Sequence, residues 1–176
     1  MSQKSLAIPF VLALLGTIVL SWSDPVSADN APVVLTVQVS ETADPIELTD
    51  ANLMAMDQQS FVTSTLWTKQ DHQFSGPSLH DVLVESGAEP TVPVKLIAAN
   101  DYAATLEPEM IGEEYPIIAN RIDGAPYSIR EKGPLWMMFP FDKGPEYNTE
   151  LHYGLSVWQL TDIVLEAPGT PSESGA

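Results

Sequence analysis

The chain has 176 residues, with 24 acidic side chains against 7 basic ones, a formal net charge of −17 and no cysteine. Such a surface repels nucleic acid and anionic lipid, whose phosphates require clustered Lys and Arg. The lack of cysteine excludes a disulfide framework, thiolate metal sites and c-type haem attachment, so packing alone has to stabilise the fold.

At the N-terminus, Lys4 precedes an apolar run from Leu6 to Leu20, and Val26-Ser27-Ala28 forms a small-residue cleavage site before Asp29. This pattern predicts a signal peptide over residues 1–28. The run spans 15 residues, short of the roughly 20 that a membrane span needs, so a cleaved leader is preferred over an uncleaved anchor. No later stretch is apolar enough to cross a bilayer. The expected product starts at Asp29 and is exported, periplasmic or secreted. Loss of Lys4 and Asp24 leaves 6 basic and 23 acidic residues and the tryptophans Trp67, Trp136 and Trp158.

Residues 29–166 are expected to form one domain. Alternation of Val33, Leu35, Val37 and Val39 with more polar neighbours predicts a strand. Thr49 caps a short helix carrying Leu53, Met54 and Met56, and Phe61 to Thr68 reads as a second strand. The clearest helix spans Ser78 to Ser86, with Ser78-x-x-Asp81 at its start and Gly87 as its stop. Val92 to Ala98 and Tyr102 to Leu106 are predicted strands around a turn at Asn100-Asp101. Glu107 to Ile111 is one helical turn. Pro116 to Ile122 and Ala125 to Ile129 flank Asp123-Gly124, a pair suited to a tight hairpin turn. Leu135 to Phe139 is wholly apolar and reads as a central strand; Ser156 to Glu166 closes the domain as another. Residues 167–176, rich in Pro, Gly and Ser, read as a disordered tail. Many short strands with one or two short helices predict an α+β, mainly β domain.

In that order, several segments resemble the sulfite oxidase, or oxidoreductase molybdopterin-binding, superfamily. Trp67 followed by Phe74-Ser75-Gly76-Pro77-Ser78-Leu79 and Leu83 is similar to the lead-in to a helix in that fold. Ala99-Asn100-Asp101-Tyr102 with Leu106-Glu107 resembles a strand pair of its small bacterial members. Asn120 to Gly124, Ser128 to Pro140 and Trp158-Gln159-Leu160 match further segments, so the resemblance covers about residues 33 to 166. It implies a sulfite oxidase-like molybdopterin-binding fold and a cofactor cleft.

The departures bear on function. Catalytic relatives hold molybdenum through a cysteine about a dozen residues before the glycine matched by Gly76; the nearest position here is Ser64, whose hydroxyl stays protonated unless a metal strips it. Where those relatives carry an Arg toward the cofactor phosphate, this chain has Trp136. From Asp142 to His152 only Lys143 is basic. By resemblance, the former cleft would gather Ser64, Asn100, Tyr102, Arg121, Arg130, Lys132 and Trp136. Arg121, Arg130 and Lys132 fit an anion site or ordinary pairing with Asp123 and Glu131, and the Asn100 turn needs no ligand to explain it. His72, His80 and His152 lack the spacing of a helical zinc site. Met137 and Met138 read as core. No Gly-x-Ser-x-Gly elbow is present.

Three functional expectations remain open. The first is an exported, non-catalytic domain holding a small ligand or peptide in the former cleft, without cofactor, including as the sensing partner of a membrane signalling protein. The second is a genuine molybdopterin-dependent oxidoreductase without a cysteine ligand. The third is a structural or interaction module with a filled cleft. No nucleic-acid partner and no stable membrane insertion are expected.

Overall fold

Alternating burial builds the main sheet. The computed structural model describes residues 31–166; the expected leader and tail lie outside them. β1 (Val33–Gln38) buries Leu35 and Val37, and β10 (Leu160–Leu165) buries Leu160 and Ile163. These two strands run parallel. β2 (Ile46–Thr49) pairs antiparallel with β1 on one side; β5 (Val94–Ala98) and β6 (Ala103–Leu106) follow β10 antiparallel on the other. The sheet order is therefore β2-β1-β10-β5-β6.

A second sheet orders β3 (Gln58–Thr63), β4 (His72–Pro77) and β8 (Arg121–Ile122). β7 (Ile117–Ala119) and β9 (Trp136–Met138) form a fully buried pair. Three short helices complete the domain: α1 (Asp50–Ala55), α2 (Leu79–Glu85) and α3 (Glu150–Leu155). Single 3-10 turns lie at Pro108–Met110 and Ile129–Glu131. The architecture is α+β and mainly β, as the sequence implied. No helix among the described residues is long and apolar enough to cross a membrane.

Local chemistry accounts for most element boundaries. Thr49 caps α1 and Ser78 caps α2, each side chain accepting a backbone N–H three residues on. The expected strand from Phe61 to Thr68 ends instead at Thr63. The Thr65 hydroxyl accepts the N–H groups of Trp67 and Thr68 at 3.1 and 2.9 Å, turning the chain. The Asp123-Gly124 turn forms with positive φ at both residues, as a two-residue hairpin loop requires. Its second arm does not continue as a strand. After Ala125 pairs with Ile122, Pro126 has no N–H to donate and Ser128 starts a 3-10 turn. The apolar run around Trp136 is buried but pairs with β7 rather than sitting inside the large sheet.

Three elements, β2, β4 and α3, were not expected from the sequence. β4 contains Gly76-Pro77, which the resemblance puts in the lead-in to a helix. Gly76 is needed there because β7 crosses it so closely: a Cβ at this position would lie 2.0 Å from the Ile118 carbonyl oxygen.

Gly76→Ala is accordingly expected to destabilise the domain by about 3 kcal/mol, since backbone has to move to admit the methyl group. Calorimetry should record a fall of roughly 10 °C in Tm. Gly124→Ala meets no neighbouring atom but is held at φ +77°, and should cost only about 1 kcal/mol. Equal losses from both variants would contradict the packing argument for Gly76.

Candidate functional site

The site is built on three tryptophans. Trp136 reaches it from β9 and is 1% exposed, its indole N–H donating to the Ser156 carbonyl at 3.1 Å. Trp158 bridges Trp136 in antiparallel register. The same segments are tied by Met137 N–H to Val157 O at 2.8 Å and Leu160 N–H to Leu135 O at 3.1 Å. Trp67 arrives from the Thr65 turn. Its ring centroid lies 5.6 Å from that of Trp136 and 5.5 Å from that of Trp158. Trp136 and Trp158 are themselves edge to face at 6.3 Å. Each such aromatic pair contributes about 0.5–1.5 kcal/mol beyond area burial.

On one side of this cluster lies a cavity of about 310 Å³, walled by Trp67, Tyr102, Tyr153 and Trp158, with Asn100 and Ala98 among its other lining residues. The β5–β6 turn supplies Asn100 and Tyr102. The Asn100 side-chain carbonyl accepts the Tyr102 N–H at 3.3 Å, and Asp101 between them takes φ 66°. α3 lies against β6 and supplies Tyr153 and Gly154. The Tyr102 hydroxyl donates to the Gly154 carbonyl at 2.9 Å, linking turn to helix. Thr149 starts α3 by accepting the His152 N–H. His152 packs edge-on to Phe139 at 4.8 Å, and burial lowers its pKa below the ordinary imidazole value.

A second cavity, of about 470 Å³, shares Trp67 and is lined by His72, Asp123, Arg130, Lys132 and Trp136, among others. Lys132, itself at φ 73°, sets its ammonium 4.2 Å from the Trp158 ring centroid and 5.9 Å from that of Trp136. Asp123 accepts from the Gln73 N–H at 3.0 Å and lies 2.6 Å from His72 Nδ1. The bond to His72, then that from Gln73, holds its pKa below the usual carboxylate value.

The residues expected in a single cleft thus fall into three groups. Asn100 and Tyr102 line the first cavity; Arg130, Lys132 and Trp136 line the second. Ser64 and Arg121 line neither. The Ser64 hydroxyl donates to Asp142 at 3.0 Å, and its backbone N–H donates to the same carboxylate. The backbone bond comes first among the causes that lower the Asp142 pKa. Arg121 grips Asp50 through both carboxylate oxygens at 2.8 and 2.7 Å and also donates to Asn120 O. Bidentate pairing is the preferred geometry of guanidinium with carboxylate.

The thiolate that the resemblance requires for molybdenum is absent, and the cations expected around a cofactor phosphate are dispersed. A dianionic phosphate needs uncommitted cations or several backbone donors. Arg121 is committed to Asp50 and Lys132 rests on an indole face, leaving Arg130 in the lining of the second cavity, and the position where the resemblance puts an Arg holds the buried Trp136. Ser64 beside Asp142 gives hard oxygen donors where the resemblance requires a soft thiolate.

Of the residues lining the first cavity, only Asn100 and Tyr102 were expected; Trp67, Trp158 and, from α3 and its end, Tyr153, Gly154, Ser156 and Val157 were missed. Thr149 followed three residues later by His152 was the available helix-start signal, but Gly154 inside so short a helix masks it.

No protein-family model matches this chain, and no curated protein sequence matches it. Among solved structures it is similar to the sulfane dehydrogenase SoxCD from Paracoccus pantotrophus, at 14% identity and a TM-score of 0.56. The match covers 74% of this chain and 37% of that one, so the chain spans little more than a third of its length. At this identity the likeness is one of fold. Together with the mainly β architecture, it bears out the fold class implied by the sequence resemblance.

The Arg121–Asp50 pair carries a pH dependence with a defined sign. The hydrogen bonds from Arg121 depress the Asp50 pKa, so the stabilisation is present above the unfolded carboxyl value of about 3.9 and is lost as pH falls through the folded value. Arg121→Met should lower stability at pH 7 by about 1 kcal/mol, because the Asp50 side chain is 46% exposed and solvent screens the pair. Urea titrations across acid pH should show the variant losing less further stability than the parent below about pH 4. A parallel acid profile would refute the assignment.

Proposed function

We propose that this protein is an exported, non-catalytic binding domain that holds a small organic ligand in the aromatic cavity of Trp67, Asn100, Tyr102, Tyr153 and Trp158. The observation that carries this reading is the make-up of that cavity: aromatic walls around a single side-chain amide, in a space of about 310 Å³. Apolar walls with few convergent polar groups are the usual composition of a small-ligand site. Indole and phenol faces supply contact area at little conformational cost, and the amide fixes orientation. Export follows from the leader pattern of residues 1–28.

The rival reading, a molybdopterin-dependent oxidoreductase, draws on the fold shared with a sulfane dehydrogenase. Fold alone does not carry chemistry. Against it stand the absent thiolate, the Ser64–Asp142 pairing and Trp136 in the place of a phosphate partner. A module with a filled cleft is disfavoured because both cavities remain open beside the buried Trp136.

A fragment screen followed by amide chemical-shift mapping tests the proposal. Binders should move the amides of Asn100, Tyr102, Gly154 and Val157, and Arg130→Ala should leave their affinities within about twofold, since Arg130 lines the other cavity. Shifts confined to Arg130, Lys132 and Asp123 would move the site to the second cavity. Near-stoichiometric molybdenum in protein from its native compartment, lost in Ser64→Ala, would overturn the binding reading in favour of the enzyme.

A further inference from the structure

We infer that the aromatic cavity selects a small organic cation whose charge is cloaked in methyl groups, a quaternary ammonium; this rests on the binding role proposed above and names its ligand class.

Four aromatic side chains line the cavity, and two of the ring pairs among them stand close to perpendicular. Trp67 stands at 81° to Tyr153 with centroids 5.7 Å apart, and at 76° to Trp158 with centroids 5.5 Å apart. The Tyr102–Gly154 hydrogen bond holds a fourth ring in the same lining. Aromatic faces carry the negative lobe of the ring quadrupole, so rings set at right angles around one space favour a positive charge within it. The Trp158 ring already carries a cation in the folded chain, although from the side of the second cavity, where the Lys132 ammonium rests 4.2 Å from its centroid.

The polar inventory narrows the cation further. A bare ammonium demands several hydrogen-bond acceptors once stripped of water. Here the Asn100 oxygen already accepts the Tyr102 N–H, and the Ser156 carbonyl already accepts the Trp136 indole N–H. No Asp or Glu is among the residues lining the cavity. A methylated ammonium makes no such demand, and its soft, weakly hydrated surface suits aromatic walls. An anionic ligand is opposed at long range by a chain carrying 24 acidic and 7 basic residues. A neutral apolar ligand gains from the walls but not from this field or from the ring quadrupoles.

Choline and its neutral carbon isostere, 3,3-dimethyl-1-butanol, separate these cases in titrations of the full exported chain followed by tryptophan fluorescence and amide shifts. The expected result is saturable choline binding about tenfold tighter than the isostere, as several cation–π contacts imply. Tyr102→Leu, at a half-exposed position that the fold tolerates, should weaken choline about threefold, with Tyr102→Phe restoring affinity. Equal affinity for both probes would overturn the cation assignment while leaving the binding function intact. If neither probe bound and the cavity amides stayed still, the cation assignment would fall. The fragment screen would then decide the binding function on its own.

Discussion

Antiparallel pairing between the Trp136 and Trp158 segments is the constraint on which the site depends. Backbone bonds from Met137 to Val157 and from Leu160 to Leu135 leave both indoles one choice of side. Trp67 then wedges against them from a turn that Thr65 closes. The three rings meet tilted or edge to face, and the two cavities lie beside them. Gln159 braces this arrangement at φ 52°, its backbone N–H bonding to Lys132 O at 3.0 Å and its amide to Ile129 O at 2.8 Å.

Local signals in the sequence were legible where a few consecutive residues decide the outcome. The caps at Thr49 and Ser78 and the Asp123-Gly124 turn each follow from hydrogen bonding or backbone freedom within four residues. What stayed hidden was set by distance in the chain. Arg121 reads as a candidate anion contact until Asp50, 71 positions away, is found in its grip. Ser64 is likewise explained by Asp142, 78 positions away. The strand through Gly76-Pro77 stayed hidden because the sequence does not reveal the β7 backbone pressed against it.

The likeness to a solved dehydrogenase is one of fold, and the side chains decide the electrostatics. Of the three cations that the sequence resemblance gathers in one cleft, Arg121 grips Asp50, Lys132 rests on an indole face and Arg130 lines the second cavity. Positive charge is thus divided among separate places in the fold instead of being concentrated in one.

Trp67 belongs to the linings of both cavities, so its mobility decides whether their occupancies are independent. A ligand that shifts this ring in one cavity changes the shape offered in the other, and the coupling free energy has to be the same in either direction. Rings with matching tolerance for two positions would make the pair cooperative; a ring held rigidly by its two indole neighbours would make occupancy of either side mutually silent. Trp67, the only residue common to both linings, is therefore where any such coupling would have to pass.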